Sequence, residues 1–233
     1  MIIKNDKRVS KIYKGTDTVQ RIYKGTDKIY EYLPIGYTEC EYLRSTGAQY
    51  IDTSVIPDNY SGNYSVELTI QVEALPSSGV SYVCGCGTST GRSCNAYTTT
   101  AGSMGVYGGK ASATIAVSIT AAQADVLNKN TYKYVMVNEG NSKIIKSGVT
   151  YTNSVTTTTT SNVSLYLFRS RFSTDTNSPT LKLYGCKIWD NNNKLVRYYV
   201  PCLDNNNTPC LYDLITKTPY YNSGSGTFDY ATL

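Results

Sequence analysis

The clearest periodic signal in the chain is residues 64–72, YSVELTIQV, where Val66, Leu68, Ile70 and Val72 alternate with Ser65, Glu67, Thr69 and Gln71. Strand side chains point alternately to two faces, so this spacing predicts a strand with one buried and one wet face. Shorter runs of the same kind recur. Residues 50–55, 81–85, 103–107 and 113–119 read as further strands, and 131–138 pairs with 143–147 in a hairpin turning through Glu139, Gly140 and Asn141. Residues 162–169, NVSLYLFR, alternate again, and the threonine run 156–160 suits an edge strand as well as an extended linker. Residues 121–127, AAQADVL, carry the only marked helix propensity and are too short for more than a turn.

The pattern is densest near the C-terminus. Leu181, Leu183, Gly185 and Lys187 alternate with Lys182, Tyr184, Cys186 and Ile188, and residues 194–200 are again rich in β-formers. Between them Asp190, Asn191, Asn192 and Asn193 supply a turn, so the pair reads as a hairpin that Pro201 ends for want of an N–H. The single tryptophan, Trp189, is expected to close the core at the end of this hairpin, with Ile188, Val66, Leu68 and Ile70 beside it. A second polar loop, 204–208, leads to another hairpin, from 211–215 through Thr216, Lys217 and Thr218 to Tyr220 and Tyr221. Regular strands broken by Gly, Asn and Ser loops imply an all-β, two-sheet sandwich.

The N-terminal end is built differently. VSKIYKGTD at residues 9–17 returns as VQRIYKGTD at 19–27, with a partial third copy from Ile29. Each copy reads as a short β-segment and a Gly-Thr-Asp turn, together a small three-stranded meander over residues 1–32. So few large apolar side chains cannot stabilise it alone, and it is expected to pack on a neighbour. Ile12, Tyr13, Ile22, Tyr23, Ile29 and Tyr30 are the candidate anchoring or oligomerisation positions. Leu33, Pro34, Ile35 and Gly36 mark the boundary with the sandwich, 33–233.

The runs KIWDNNNKLVRYYVPC and PCLYDLITKTPYYNSGSGTF resemble the C-terminal end of laminin-G-like, concanavalin A-like jelly-roll modules frequent in structural proteins of bacteriophages of gut bacteria. LPIGYTECEYLRSTGAQYIDTSVIP, residues 33–57, is similar to the opening segment of those modules, and "YKG" repeats like the one here precede them in phage structural proteins. Cys210 and Lys217 depart from the pattern, which usually has glycine there. The resemblance implies a concanavalin A-like (laminin-G-like) jelly roll in a virion component, as a capsid decoration, head fibre or tail fibre. Its implied partners are other capsid or tail proteins and further copies of itself, commonly in threes. The alternative is an adhesin whose sandwich binds host or mucosal surface glycans.

Composition narrows the chemistry. The 233 residues suit one large all-β domain, and charged residues are only 17%. The net charge of +5 is scattered, with Arg169 and Arg171 the one dense basic pair beyond the leader, so a nucleic-acid partner is not expected. The absence of histidine removes Ser-His-Asp and Cys-His catalysis. Neither a paired-carboxylate glycosidase motif nor a phosphate-binding glycine loop is present; Glu67 and Glu73 read as solvent-face residues. The expectation is therefore a protein that is not an enzyme and takes no cofactor.

The start MIIKNDKRVS has no apolar signal region, and no apolar run is long enough to span a bilayer, so synthesis in a reducing host cytosol and no membrane insertion are expected. The seven cysteines then read mostly as small buried hydrophobes. Cys84, Cys86 and Cys94 lack zinc-ribbon spacing, whereas Cys202 and Cys210 flank a polar loop that a disulfide would bridge in an oxidising medium. The Asx-rich loops 190–193 and 204–207 offer calcium-type oxygens, although such turns form readily without metal. The 23 tyrosines include stacking surfaces for sugars, but most are expected to serve packing or subunit contact.

Overall fold

The computed structural model describes residues 33–88, 91–109, 114–171 and 178–233, together with the leader's strand segments. Those leader segments are β1 (Ile3–Lys4), β2 (Lys7–Arg8), β3 (Tyr13–Lys14), β4 (Asp17–Thr18), β5 (Arg21–Lys24) and β6 (Asp27–Glu31). The sandwich begins with β7 (Thr38–Ser45), β8 (Ile51–Asp52), β9 (Tyr64–Val72), β10 (Val80–Thr88), β11 (Gly91–Thr99), β12 (Met104–Gly109) and β13 (Thr114–Ile119). It continues through β14 (Asn130–Met136), β15 (Gly140–Lys146), β16 (Val149–Thr157), β17 (Tyr166–Leu167) and β18 (Ser170–Arg171). The last strands are β19 (Leu181–Trp189), β20 (Leu195–Leu203), β21 (Pro209–Asp213), β22 (Thr218–Tyr221) and β23 (Asp229–Thr232). One helical turn, α1 (Ala121–Ala124), lies where the sequence shows helix propensity.

Two sheets form the sandwich. One has the order β13-β12-β11-β10-β17-β8, with β18 beside β10; the other has the order β16-β15-β14-β9-β19-β7-β20-β21-β22, with β23 on β7. Apart from the two-residue parallel contact of β18, the pairings are antiparallel. This is an all-β sandwich of two antiparallel sheets. Val66, Leu68, Ile70 and Ile188 from the larger sheet meet Met104, Val106 and Val117 from the smaller one in the main core. Burying such side chains stabilises the fold by about 1.5–3 kcal/mol each.

Buried tyrosines tie the layers together through their hydroxyls. Tyr132 donates to the Ala124 carbonyl at 2.6 Å, Tyr199 to the Thr53 carbonyl at 3.0 Å, and the Tyr64 hydroxyl lies 2.8 Å from Ser93 Oγ. At these three positions a ring fills the core and ends in a satisfied polar atom, whereas the hydroxyl of the equally buried Tyr134 has no hydrogen-bond partner among the described residues. Gly85 in β10 answers a different demand, since a Cβ there would overlap the Asn95 amide and lie 2.9 Å from Asn95 Cα.

Several expectations change. Trp189 is not in the core; it is half-buried on the outer face, opposite Ser65, with Lys133 Nζ 3.9 Å from its ring centroid. Pro201 does not end its strand. Leu214 N–H donates to the Tyr198 carbonyl, which makes 200 and 202 the residues whose backbone polar groups face β21, so the missing N–H of Pro201 points away from that ladder. Residues 162–169 contribute only the short β17, and β11, whose buried positions include Ser93, Asn95 and Thr98, had no apolar pattern to reveal it. Lys217 keeps the left-handed backbone that its glycine counterpart implies, at φ 61°, while Cys210 lies within β21.

The leader's strands pair as three separate two-stranded units and not as one three-stranded meander. Tyr13 faces Thr18 and Lys14 faces Asp17, and Lys24 faces Asp27 in the next repeat, so β1-β2, β3-β4 and β5-β6 are consecutive two-stranded hairpins. Among the described residues none of the three shares a ladder with the sandwich. Ile12 lies outside the described residues. Tyr13, Ile22, Tyr23, Ile29 and Tyr30 lie on hairpin strands described by their backbone. The chain then joins the sandwich at Leu33, which is buried with Val200, Cys202, Cys210, Tyr212 and Leu214 in a second apolar cluster.

Candidate functional site

A cleft opens through the larger sheet where three strands part. β19 pairs with β7 from Leu181 to Leu183 and with β20 from Cys186 onward, while β20 regains β7 only at Cys202 and Leu203. The gap is widened by a bulge at Tyr184–Gly185, where the register of β19 against β9 slips by one residue. That slip also reverses the alternation, so Leu181, Leu183, Cys186 and Ile188 all face the core. The resulting cavity of about 240 Å³ is lined by residues that include Glu41, Glu67, Lys129, Tyr184, Lys187 and Tyr198.

Its rim is a lattice of aromatic rings and paired charges. Lys129 Nζ lies 3.8 Å from the Tyr184 ring centroid and 3.7 Å from Glu41. Lys187 lies 3.2 Å from Glu67 and 5.1 Å from the Tyr198 ring centroid. Tyr184 donates its hydroxyl to Gln71 at 3.0 Å and packs edge-on to Tyr42, over which Lys182 sits while reaching Glu73 at 3.0 Å. Partial burial works against ionisation of Glu73, but hydrogen bonds from Arg44 and Lys182 outweigh it and hold the carboxyl below its usual range.

The cleft combines flat apolar rings with polar edges already oriented by their partners. Such a surface suits binding of a polar, hydroxylated ligand by stacking and hydrogen bonding. At its floor, burial, with smaller contributions from Cys210 and Glu39, pushes the Cys40 thiol up to about 11, and burial raises Cys186 well above its ordinary value. Both remain protonated near neutral pH and are poor nucleophiles.

The other sequence candidates fall elsewhere. Arg169 and Arg171 stand over the stacked rings of Tyr50 and Tyr166, with Arg171 also donating to Ser164 Oγ at 2.8 Å. In the Asx loops, Asp190 Oδ1 accepts N–H bonds from Asn192 and Lys194, and Asp204 Oδ1 accepts them from Asn206 and Thr208. The backbone N–H of Thr208, followed by other donors, holds the Asp204 carboxyl below its usual range despite some opposing desolvation. Cys86 donates to the Ser93 carbonyl at 3.2 Å, and among the described residues no cluster of three or more metal-ligating side chains is formed. No helix among them is long and apolar enough to cross a membrane.

Fold and site thus define a β-sandwich with a polar, aromatic-rimmed cleft. No protein-family model and no curated protein matches the chain. Among solved structures it is similar to Trypanosoma rangeli sialidase in complex with 2,3-difluorosialic acid as a covalent intermediate, at 14% identity and a TM-score of 0.41, over 56% of this chain and 21% of that one. The same sialidase in complex with sialic acid matches at 13% identity and the same TM-score, again over 56% and 21%. The chain therefore spans about a fifth of the length of these neighbours. One expectation is corrected here: the neighbours are enzymes, so the sequence-based exclusion of catalysis is withdrawn, while a likeness of this extent assigns no activity.

Proposed function

We propose that the chain is a virion structural protein that displays its sandwich on the particle surface, as a capsid decoration, head fibre or tail fibre. The observation that carries this reading is the leader: three separate two-stranded hairpins, none of which shares a ladder with the sandwich among the described residues, precede the point at Leu33 where the chain enters it. Two-stranded hairpins are marginal in isolation, so such a series gains stability from a neighbour, either another copy of the chain or a capsid or tail protein. The resemblance of residues 33–233 to phage jelly-roll modules supports the same division of labour. Residues 1–32 attach or trimerise, and the sandwich faces outward.

Deletion of residues 1–32 tests this. Light scattering and particle-binding assays are expected to show a monomeric, unattached sandwich with unchanged β-sheet circular dichroism. Retention of both the oligomeric state and attachment would refute the anchoring role.

The cleft favours a second reading, an adhesin that binds surface glycans, because the Tyr184 and Tyr198 rings flank carboxylates and ammonium groups in one cavity. Loss of a stacking ring typically removes about 1–2 kcal/mol of binding, so Tyr184→Ala is expected to weaken any glycan-array signal roughly tenfold. An array with no signal for the wild-type chain would dismiss this reading and leave the display role standing.

A further inference from the structure

Cys202 and Cys210 face each other directly across the β20–β21 ladder, with their sulfurs 3.5 Å apart. Directly opposed residues on antiparallel strands have Cα atoms about 4.5–5.5 Å apart, inside the range that a disulfide spans, so the backbone is already placed. Joining the two sulfurs requires only side-chain rotation, whereas the oxidant reaches them, both fully buried, through local opening of the hairpin. We propose that Cys202 and Cys210 are an oxidation site, converted by a low-molecular-weight disulfide into a cross-strand bond that locks the hairpin beneath Leu33.

The exchange is balanced in two displacements. A thiolate formed at one cysteine attacks a sulfur of the small disulfide, expels one small thiolate and leaves a mixed disulfide. The second cysteine, once deprotonated, attacks the protein sulfur of that mixed disulfide and expels the other small thiolate. The two protons end on the two small thiols, and two electrons pass from the cysteine pair to the oxidant. Hydrogen bonding to Cys210 and then burial push the Cys202 thiol up, so the pair persists as a dithiol in a reducing compartment and closes slowly outside it.

Cys40 is the competing thiol. Cys40 lies on β7 beside this pair, but its ladder partner is Thr232, whereas Cys202 is held in register with Cys210. The pair belongs to the apolar cluster that receives Leu33, so the bond would stiffen the surface from which the leader departs. This inference stands on the strand register and the sulfur separation and is independent of the virion reading.

The test uses the full chain, purified under reductant and then transferred to oxidised glutathione in mildly alkaline buffer. Trypsin cleavage after Arg197 and Lys217 leaves both cysteines on one peptide, residues 198–217. Alkylation of the denatured sample is expected to leave that peptide unmodified and lighter by two hydrogen atoms, and prior reduction to restore double alkylation. The midpoint of thermal unfolding is expected to rise by about 5 °C, as for a short loop closed in a chain of this size. Cys210→Ser should abolish both changes. Double alkylation after exposure, glutathione retained on one cysteine, or a link from either to Cys40 would overturn the assignment.

Discussion

Asp213→Ala is expected to destabilise the chain by about 3–5 kcal/mol, because it strands several polar groups at once. Asp213 is fully buried at the end of β21. Its Oδ1 accepts the backbone N–H of Tyr198 at 2.9 Å and of Ile215 at 3.0 Å, and its Oδ2 accepts the Thr216 hydroxyl at 2.7 Å. Arg197 Nε lies 3.5 Å from the same Oδ2, and the Arg197 side chain is itself largely covered. Removing the carboxylate therefore leaves a cation without its counter-charge, and two N–H groups without their acceptor, in a partly covered region. Asp213→Asn separates these contributions, since an amide oxygen still serves the N–H groups but supplies no charge to Arg197; its loss should be about half as large. Urea unfolding followed by tryptophan fluorescence measures both. A change below about 0.5 kcal/mol for Asp213→Ala would mean that the hairpin does not depend on this carboxylate.

The part of this architecture that was readable in advance is the part whose strands have one dry and one wet face. β9 is such a strand, and the structure starts and ends it where the alternation does. β10 and β11 are covered on both sides, so VSYVCGCGT and GRSCNAYTT carry no alternation, and polar Ser93 and Asn95 are buried because Tyr64, Ser170 and the Thr159 carbonyl meet them. The bulge at Tyr184–Gly185 was equally hidden. A one-residue slip reverses which side chains face inward, so Cys186 and Ile188 join Leu181 and Leu183 in the core, and Trp189 moves to the surface beneath Lys133.

The cleft depends on the parting of β7, β19 and β20, strands more than a hundred residues apart in sequence at β7 and β19. No local pattern encodes such a junction. Pro201 is consistent with it in retrospect: a residue without an N–H fits where β20 has left β19 and has not yet met β7. In the leader, the repeat revealed the strand segments, but not that they pair two by two instead of as a three-stranded meander.

Phe228→Ala is the second large effect, and it tests whether the tail is structural. Phe228 is buried with its ring centroid 4.7 Å from that of Phe168. The polar stretch before it is fixed to the sandwich: Tyr50 N–H donates to Asn222 Oδ1 at 3.1 Å, and Ser223 N–H donates to the Tyr50 carbonyl at 2.8 Å. Gly224 passes so close to the Ala48 carbonyl that a Cβ would collide with it. These contacts aim Phe228 into the core, and β23 then lies along β7, with Arg44 Nη1 2.6 Å from Asp229. Truncating a buried phenylalanine costs about 3–5 kcal/mol, which in a domain of this size lowers the thermal midpoint by about 10 °C. Phe228→Leu preserves most of the volume and should lose under about 1.5 kcal/mol. Because the ring lies between the Asn222–Gly226 segment and β23, the alanine variant should also speed hydrogen exchange along β23 more than along β9, whose ladders with β14 and β19 do not involve the tail. A thermal midpoint within about 2 °C of wild type would mean that Phe228 fills a space the core closes without it.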